Sequence, residues 1–414
     1  MSGNPKLIGK LLASLPKEQV SALTRLIRLA DRRATAIYLV GGPVRDFLLD
    51  LPPSDLDITV EGNAIDLATH FAGATGQRLV RHVRFGTATV SVDGASFDLA
   101  TARRETYEAA GALPAIQPST IDDDLHRRDF TINAMALALN GTTAGRLLDP
   151  ADGRSDLGAG LIRVLHTASF EDDATRILRA ARYEARLGFR IEEATHDLLV
   201  RDLPYLETIS PARIHGELAR TLLDHEPERA LSRMADLGAL RTLHPSLGFD
   251  GELATAFKRL REIAPRAVPA AYWPLLTWHV SEPATAPVIA RLALTRRQAD
   301  AVRALSSLRG RRLRPASRPS DIASIFAAQP AAAVWALAAA GSGAAREQAH
   351  AYMARYRNIR PLLRGDDLLA LGVPPGKAVG EVLARLRAAK LDGEAGTRAD
   401  EERLVRDSLA RNDE

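Results

Sequence analysis

The chain has 414 residues, 46% hydrophobic and 26% charged, which is ordinary for soluble globular proteins and leaves room for roughly three domains. It has no cysteine, which excludes disulfides, thiolate zinc sites and cysteine nucleophiles and fits a cytoplasmic setting; no run approaches ~18 uncharged apolar residues, and the N-terminal segment with Lys6, Lys10, Lys17 and Glu18 lacks the pattern of a secretory leader, so neither a membrane span nor a leader is expected. The net charge is +4 and the pI about 9.5, carried mostly by arginine, which is compatible with a polyanionic partner without establishing one.

Residues 1–34 read as an amphipathic helical lead-in. Residues 36–42 (AIYLVGG) read as a buried strand running into a glycine turn, and 44–50 as a short helix. Residues 55–60 (DLDITV) alternate polar and apolar, as a half-buried strand does. A helix is expected over 63–73, and a hairpin over 86–92 and 96–101, joined at Asp93-Gly94. After Asp149-Pro150 strands become scarce: 170–187 and 211–224 show helical periodicity, and from about 245 the chain reads as helices punctuated by Pro and Gly.

The sharpest feature is the order strand, Gly41-Gly42, helix, strand, Asp55-x-Asp57. Residues two apart in a strand share a face, so Asp55 and Asp57 are expected to project together, and a divalent cation relieves their repulsion. Hard oxygen ligands suit Mg²⁺, which binds substrate phosphates as well; two such ions can activate an attacking hydroxyl and stabilise a leaving pyrophosphate. Glycines let backbone N–H groups approach a triphosphate, and a helix starting near Pro43 adds its dipole. Asp98, on a later strand, is the candidate third carboxylate, helping to deprotonate an attacking hydroxyl. A solitary DxD is usually solvated surface and a solitary GG usually a turn; their ordered combination is what carries information.

In LVGGPVRDFLLDLPPSDLDITV (39–60), RRDFTINAMAL (127–137), DDATRILRAARYEARLGF (172–189), PARIHGEL (211–218) and, more weakly, GDDLLALGVPPGKAVGEVL (365–383), the chain resembles the class II tRNA nucleotidyltransferase (CCA-adding enzyme) and bacterial poly(A) polymerase family. The resemblance covers most of residues 36–220. It implies an α+β head of the DNA polymerase β type followed by an all-α body and tail, apportioned as a lead-in (1–35), head (36–150), neck (151–240), body (241–360) and tail (361–414). It further implies metal binding by Asp55 and Asp57, and recognition of the nucleotide's ribose by Arg127, Arg128 and Asp129. Gly41, Gly42, Arg45 and Arg103 also fall at nucleotide-binding positions. Asp172, Asp173 and Arg176 match an EDxxR element that reads the base in place of a nucleic-acid template, with Arg179 continuing the same face; Asp172 stands where the family has Glu. Residues 104–126 are expected to form a mobile loop, with Asp122-Asp123-Asp124 solvated.

The partners so implied are tRNA, CTP and ATP. The run Arg303, Arg309, Arg311, Arg312, Arg314 and Arg318 suits either phosphate contacts or a solvated loop, and the tail is expected to touch the RNA elbow. No histidine pairing defines a metal site, and no GxxxxGK[ST] segment supports a P-loop enzyme. Addition of CCA, of CC, of A alone, or of poly(A) all share these motifs; a catalytically inactive RNA-binding module is the alternative of another class.

Overall fold

The computed structural model describes residues 4–52, 56–75, 78–92, 95–106, 111, 114–311 and 318–410. Asp55, the Asp93-Gly94 turn, Ala112-Leu113, Arg312 and Arg314 therefore lie outside the described residues. The chain divides into two compact units, Met1–Arg213 and Ile214–Glu414.

The first unit is built on a mixed sheet. Helices α1 (Pro5–Ser14) and α2 (Lys17–Arg32) lead into strand β1 (Ala36–Val40), the short helix α3 (Gly42–Leu48) and strand β2 (Leu56–Glu61). Helix α4 (Ala64–Thr75) precedes β3 (Arg78–His82), β4 (Thr87–Val92) and β5 (Ala95–Thr101). A two-stranded ribbon follows, β6 (Arg103–Thr106) with β7 (Ala115–Pro118), then α5 (Ile121–His126), β8 (Ala136–Ala138) and β9 (Leu147–Leu148). The seven-stranded sheet has the order β3-β4-β5-β2-β1-β8-β9, with β2 and β5 parallel and the other neighbours antiparallel.

Period-two alternation gives this sheet two chemically different faces. Leu39, Leu56, Ile58, Val60, Val90, Phe97 and Leu99 are buried on the face covered by α2 and α4, where Phe71 of α4 meets Phe97 edge-on at 6.3 Å. The opposite face carries Tyr38, Val40, Asp57, Thr59, Thr89 and Asp98. Here α5 seats Ile121 and Leu125 against Tyr38 and Val40, while the region around Asp57 and Asp98 is left as a cavity. The strands, glycine turn and hairpin thus lie within two residues of where sequence alone set them. The segment 104–126 departs from the expected loop: much of it is ordered as β6, β7 and α5. Thr120 caps α5, its Oγ1 accepting from the Asp123 N–H at 3.4 Å, and this anchors a segment whose Gly and Pro content alone read as a breaker.

Beyond the sheet, α6 (Gly153–Ala159) and β10 (Leu161–Ile162) lead to α7 (Ser169–Asp172) and α8 (Thr175–Leu187). The expected single helix over 170–187 is interrupted because Asp173 is extended, at φ −148° and ψ 94°.

The regular elements of the second unit, among the described residues, are all helices. Its core helix, Ala331–Ala340, packs against Gly251–Ile263, Val268–Leu276, Arg296–Gly310 and Gly343–Ala351. Arg261 forks onto buried Glu228 at 2.6 and 2.7 Å and reaches the Tyr272 hydroxyl at 3.0 Å, a geometry that satisfies a charge taken from water. A separate cluster of Leu363, Leu368, Val373, Leu386 and Val405 holds the last helices together. No single helix among the described residues is long and apolar enough to cross a membrane.

Candidate active site

Parallel pairing sets Asp57 of β2 beside Asp98 of β5, and antiparallel pairing sets Thr89 of β4 beside Asp98. Register partners share a face, so all three side chains project together. They line a cavity of about 390 Å³ with His82 and Arg128. The Thr89 hydroxyl donates to Asp98 Oδ1 at 2.6 Å, which fixes that carboxylate. No group of three His, Asp or Glu side chains able to hold a metal occurs among the described residues; Asp55, expected to bind metal with Asp57, is outside them. Two adjacent carboxylates in a cavity are hard-oxygen donors of the kind a divalent cation prefers.

The glycine turn follows Val40, which lines this cavity, and packs against Arg128, which lines it too. Gly41 has φ +70° and ψ −130°, a conformation that excludes a side chain at little strain. Its N–H donates to the Met135 carbonyl at 3.1 Å. A Cβ placed here would come within 2.5 Å of Arg128 Nη1, so the missing side chain is also what admits the guanidinium. Gly42 begins α3, a helix of seven residues. Arg45 lies inside: it is 2% exposed, donates to Asp46 Oδ1 at 2.9 and 2.7 Å and to Asn133 Oδ1 at 2.7 Å, and stacks over Tyr183. It ties the glycine turn to the FTINAM segment, and it lines neither cavity of the site.

A second cavity of about 370 Å³ gathers Arg103, Arg127, Arg128, Arg176, Arg179 and Arg213 with Glu105, Asp129 and Asp173. Six arginines against three carboxylates make it cationic, and Arg128 belongs to both cavities. Burial pushes the Asp129 carboxyl up, but Arg179, Asn133 and Arg176 more than compensate and hold it below the usual carboxylate range. Arg179 forks onto its Oδ2 at 2.8 and 2.6 Å, and Asn133 donates to Oδ1 at 3.0 Å. Asp173 is not on a helical face with Arg176, as the spacing had implied. It precedes α8, its Oδ1 accepting from the Thr175 N–H and hydroxyl and from Arg213 Nη2, the last at 2.6 Å. Arg176 donates to Ser169 Oγ at 2.6 Å and to the Arg127 carbonyl at 2.8 Å. Both residues still reach the same cavity. Asp172 does not: with His166, 3.6 Å away, it lines a smaller neighbouring cavity.

Three residues of the site escaped the sequence reading. Asp124 is fully buried, not solvated; its Oδ1 accepts from Arg127 at 3.0 and 2.7 Å and its Oδ2 from Arg128 at 2.9 Å. Burial opposes this charge, yet the two guanidinium groups hold its carboxyl below the usual range. The spacing of three and four residues was the available signal. Glu105 accepts from Arg103 and Arg127 at 2.9 and 3.1 Å; its position two residues after Arg103 on one strand was a weak hint. Arg213 stood inside a matching segment, PARIHGEL, but only folding reveals its pairing with Asp173.

The basic run around 310 is less available than its composition suggests. Arg309 lies over Trp278 at 4.9 Å and donates to the Val280 carbonyl, and burial lowers its pKa. Arg303 pairs with Asp300 and Arg318 with Glu394.

Residues 37–163 match the poly(A) polymerase head domain, and 188–249 match the "probable RNA and SrmB-binding site of polymerase A". An "A-adding tRNA nucleotidyltransferase" of Geobacter sulfurreducens is 34% identical over 94% of this chain and 47% of its own length. A "CC-adding tRNA nucleotidyltransferase" of Deinococcus radiodurans is 36% identical over 91% of this chain and 90% of its own. A Thermotoga maritima CCA-adding enzyme, solved with tRNA, superposes with a TM-score of 0.74 at 30% identity, over 97% of this chain and 98% of that one. The chain belongs to the tRNA nucleotidyltransferase family with a poly(A) polymerase-type head. It spans about half the length of the Geobacter relative and 61% of a similar one from Halalkalibacterium halodurans.

Proposed function

We propose that this chain transfers CMP and AMP from CTP and ATP to the 3′ end of tRNA, without a nucleic-acid template, to build or repair a CCA terminus. The observation that carries the reading is the pairing of Asp57 and Asp98 in one cavity that shares Arg128 with the arginine-lined cavity beside it. Asp57 and Asp98 would hold divalent metal, taken to be Mg²⁺, and strand alternation in the sequence adds Asp55. When bound, the metal supplies charge neutralisation at the triphosphate and a more acidic 3′ hydroxyl.

The protein's own groups supply the rest. Arg128, admitted by the absence of a side chain at Gly41, receives the phosphates. Asp129, oriented by Arg179 and Asn133, accepts from the ribose hydroxyl. Arg103 and Arg127 flank the same cavity. Asp173 and Arg176 offer an acceptor and a donor to the Watson–Crick edge, the complement that C and A require. Asp98, oriented by Thr89, takes the proton of the RNA 3′ hydroxyl.

Full CCA addition is separated from partial synthesis by product sequencing. Purified protein with Mg²⁺ receives tRNA transcripts ending before C, after C and after CC, with CTP and ATP separately and together. Stepwise C, C, A addition followed by a stop supports the proposal. A alone added to the CC-ending transcript would make it A-adding, the activity in the Geobacter relative's name, and CC alone would make it CC-adding. Long A tails would make it a poly(A) polymerase. Bound RNA with no incorporation would leave only an RNA-binding module.

A further inference from the structure

We propose that the free edge of the head's sheet, β3 and the turn after it (Arg78–Phe85), seats the last nucleotides of the acceptor RNA. This rests on the transfer reaction proposed above and assigns the surface that delivers the 3′ hydroxyl to it.

The register supplies the first argument. Val80 pairs with Thr89, Thr89 with Asp98, and Asp98 with Asp57. One row of side chains therefore runs from the carboxylates to the sheet edge, where Val80 is 39% exposed. Alternation sets Arg78 and His82 on the same face as Val80. Arg81 falls on the other face, where it donates to Thr69 of α4 at 3.3 Å. His82 lines the carboxylate cavity.

The turn supplies the second. Val83–Phe85 forms a single 3₁₀ turn, closed by Gly86 at φ +61°. Val83 is 77% and Phe85 40% exposed, and the Arg84 guanidinium stands 5.7 Å from the centre of the Phe85 ring. Phe85 lines the arginine-rich cavity, and its carbonyl accepts from Arg103 Nη1 at 3.1 Å. The segment thus stands between the two cavities, touching one through His82 and the other through Phe85. A strand ending at Asp98 beside an incoming nucleotide must cross that boundary.

Its chemistry fits an unpaired nucleic-acid strand. Residues 78–86 (RLVRHVRFG) hold three arginines and a histidine and no acid. Exposed apolar side chains on an edge strand are ordinarily a liability. Interleaved with cations, they give bases an apolar and aromatic surface and give phosphates their counter-charge. Pairing with a strand from a second protein is the competing use of such an edge, and the charge and the two flanking cavities argue for RNA.

The test uses Val83 and Arg84, both exposed and neither assigned a part in the chemistry above. In the full chain, the double variant Val83→Asp/Arg84→Glu should raise KM for whichever tRNA transcript the wild type extends by on the order of tenfold. The KM for the nucleotide and the thermal midpoint should be unchanged, and Arg84→Lys should keep most of the RNA affinity. With a photoreactive benzoylphenylalanine at Val83, adducts should map to the unpaired 3′-terminal nucleotides. An unchanged RNA KM, or adducts confined to the duplex arm, would overturn the assignment. So would crosslinks between copies of the chain alongside an unchanged RNA KM, which would give the edge to strand pairing. Failure of the wild type to extend any transcript would instead remove the transfer reaction on which the inference rests.

Discussion

Asp124→Asn probes the least expected element of the site, because it removes one charge and almost no volume. Asp124 is fully buried and is shared by Arg127 and Arg128, whose side chains are 19% and 17% exposed. Breaking a buried ion pair from one side typically costs about 3–5 kcal/mol, since the remaining charge is left uncompensated. Asn keeps an acceptor and the two guanidinium groups retain some water, which sets the expected loss at the lower end, about 3 kcal/mol. For a unit of 213 residues, at about 2–4 °C per kcal/mol, the thermal midpoint should fall by roughly 6–12 °C. Urea unfolding and calorimetry at pH 7 measure both quantities. The pH dependence adds a sign test. The native Asp124 carboxyl is held below its ordinary value, so its contribution is complete above an unfolded pKa near ~4 and is lost as pH falls through the native pKa. The gap between wild type and variant should therefore narrow on acidification. A destabilisation under ~1 kcal/mol at neutral pH, or a gap that widens in acid, would refute the claim that Asp124 is the charge holding the two arginines.

Asp57→Ala should abolish nucleotide transfer while leaving thermal stability and RNA binding largely intact; a gel-shift assay beside an incorporation assay checks this, and retained transfer would remove the metal assignment. The same outcome is expected for Asp55→Ala. Asp173→Ala and Arg176→Ala should change the ratio of C to A incorporation more than RNA affinity; steady-state kinetics with each nucleotide would show the reverse if the base-reading role is wrong. Gly41→Ala should cost about 1–3 kcal/mol of backbone strain and displace Arg128 from the shared cavity, so KM for the nucleotide should rise while RNA affinity holds; an unaltered KM would mean that the close approach of Arg128 has no part in binding.

Much of the head was legible from sequence because its signals are local. Alternation in DLDITV placed Asp57 on one face, and β-branched and aromatic residues bounded by glycine marked β1. The ordered motifs placed Asp57 and Asp98 on strands that do pair, and Arg103, Arg127, Arg128, Asp129, Asp173, Arg176 and Arg179 all line one cavity. Periodicity cannot report which way a buried charge turns. Asp122, Asp123 and Asp124 are equivalent as text, but only Asp124 faces inward, where burial makes an unpaired carboxylate too costly and Arg127 and Arg128 supply the pairing. Arg45 and Arg128 are likewise both motif arginines. Folding buries the first against Asp46 and Asn133 and leaves the second between two cavities. Asp172 and Asp173 are neighbours in the chain, yet the extended backbone at Asp173 sends them to different cavities. Sequence by itself determined the fold class, the order of the motifs and the strand that carries Asp57, because each follows from residue type, short-range spacing and the ordered motifs. Only the tertiary structure decided which charges neutralise one another and which remain for a substrate, because that depends on residues such as Asp129 and Arg179, or Asp173 and Arg213, that packing brings within 3 Å.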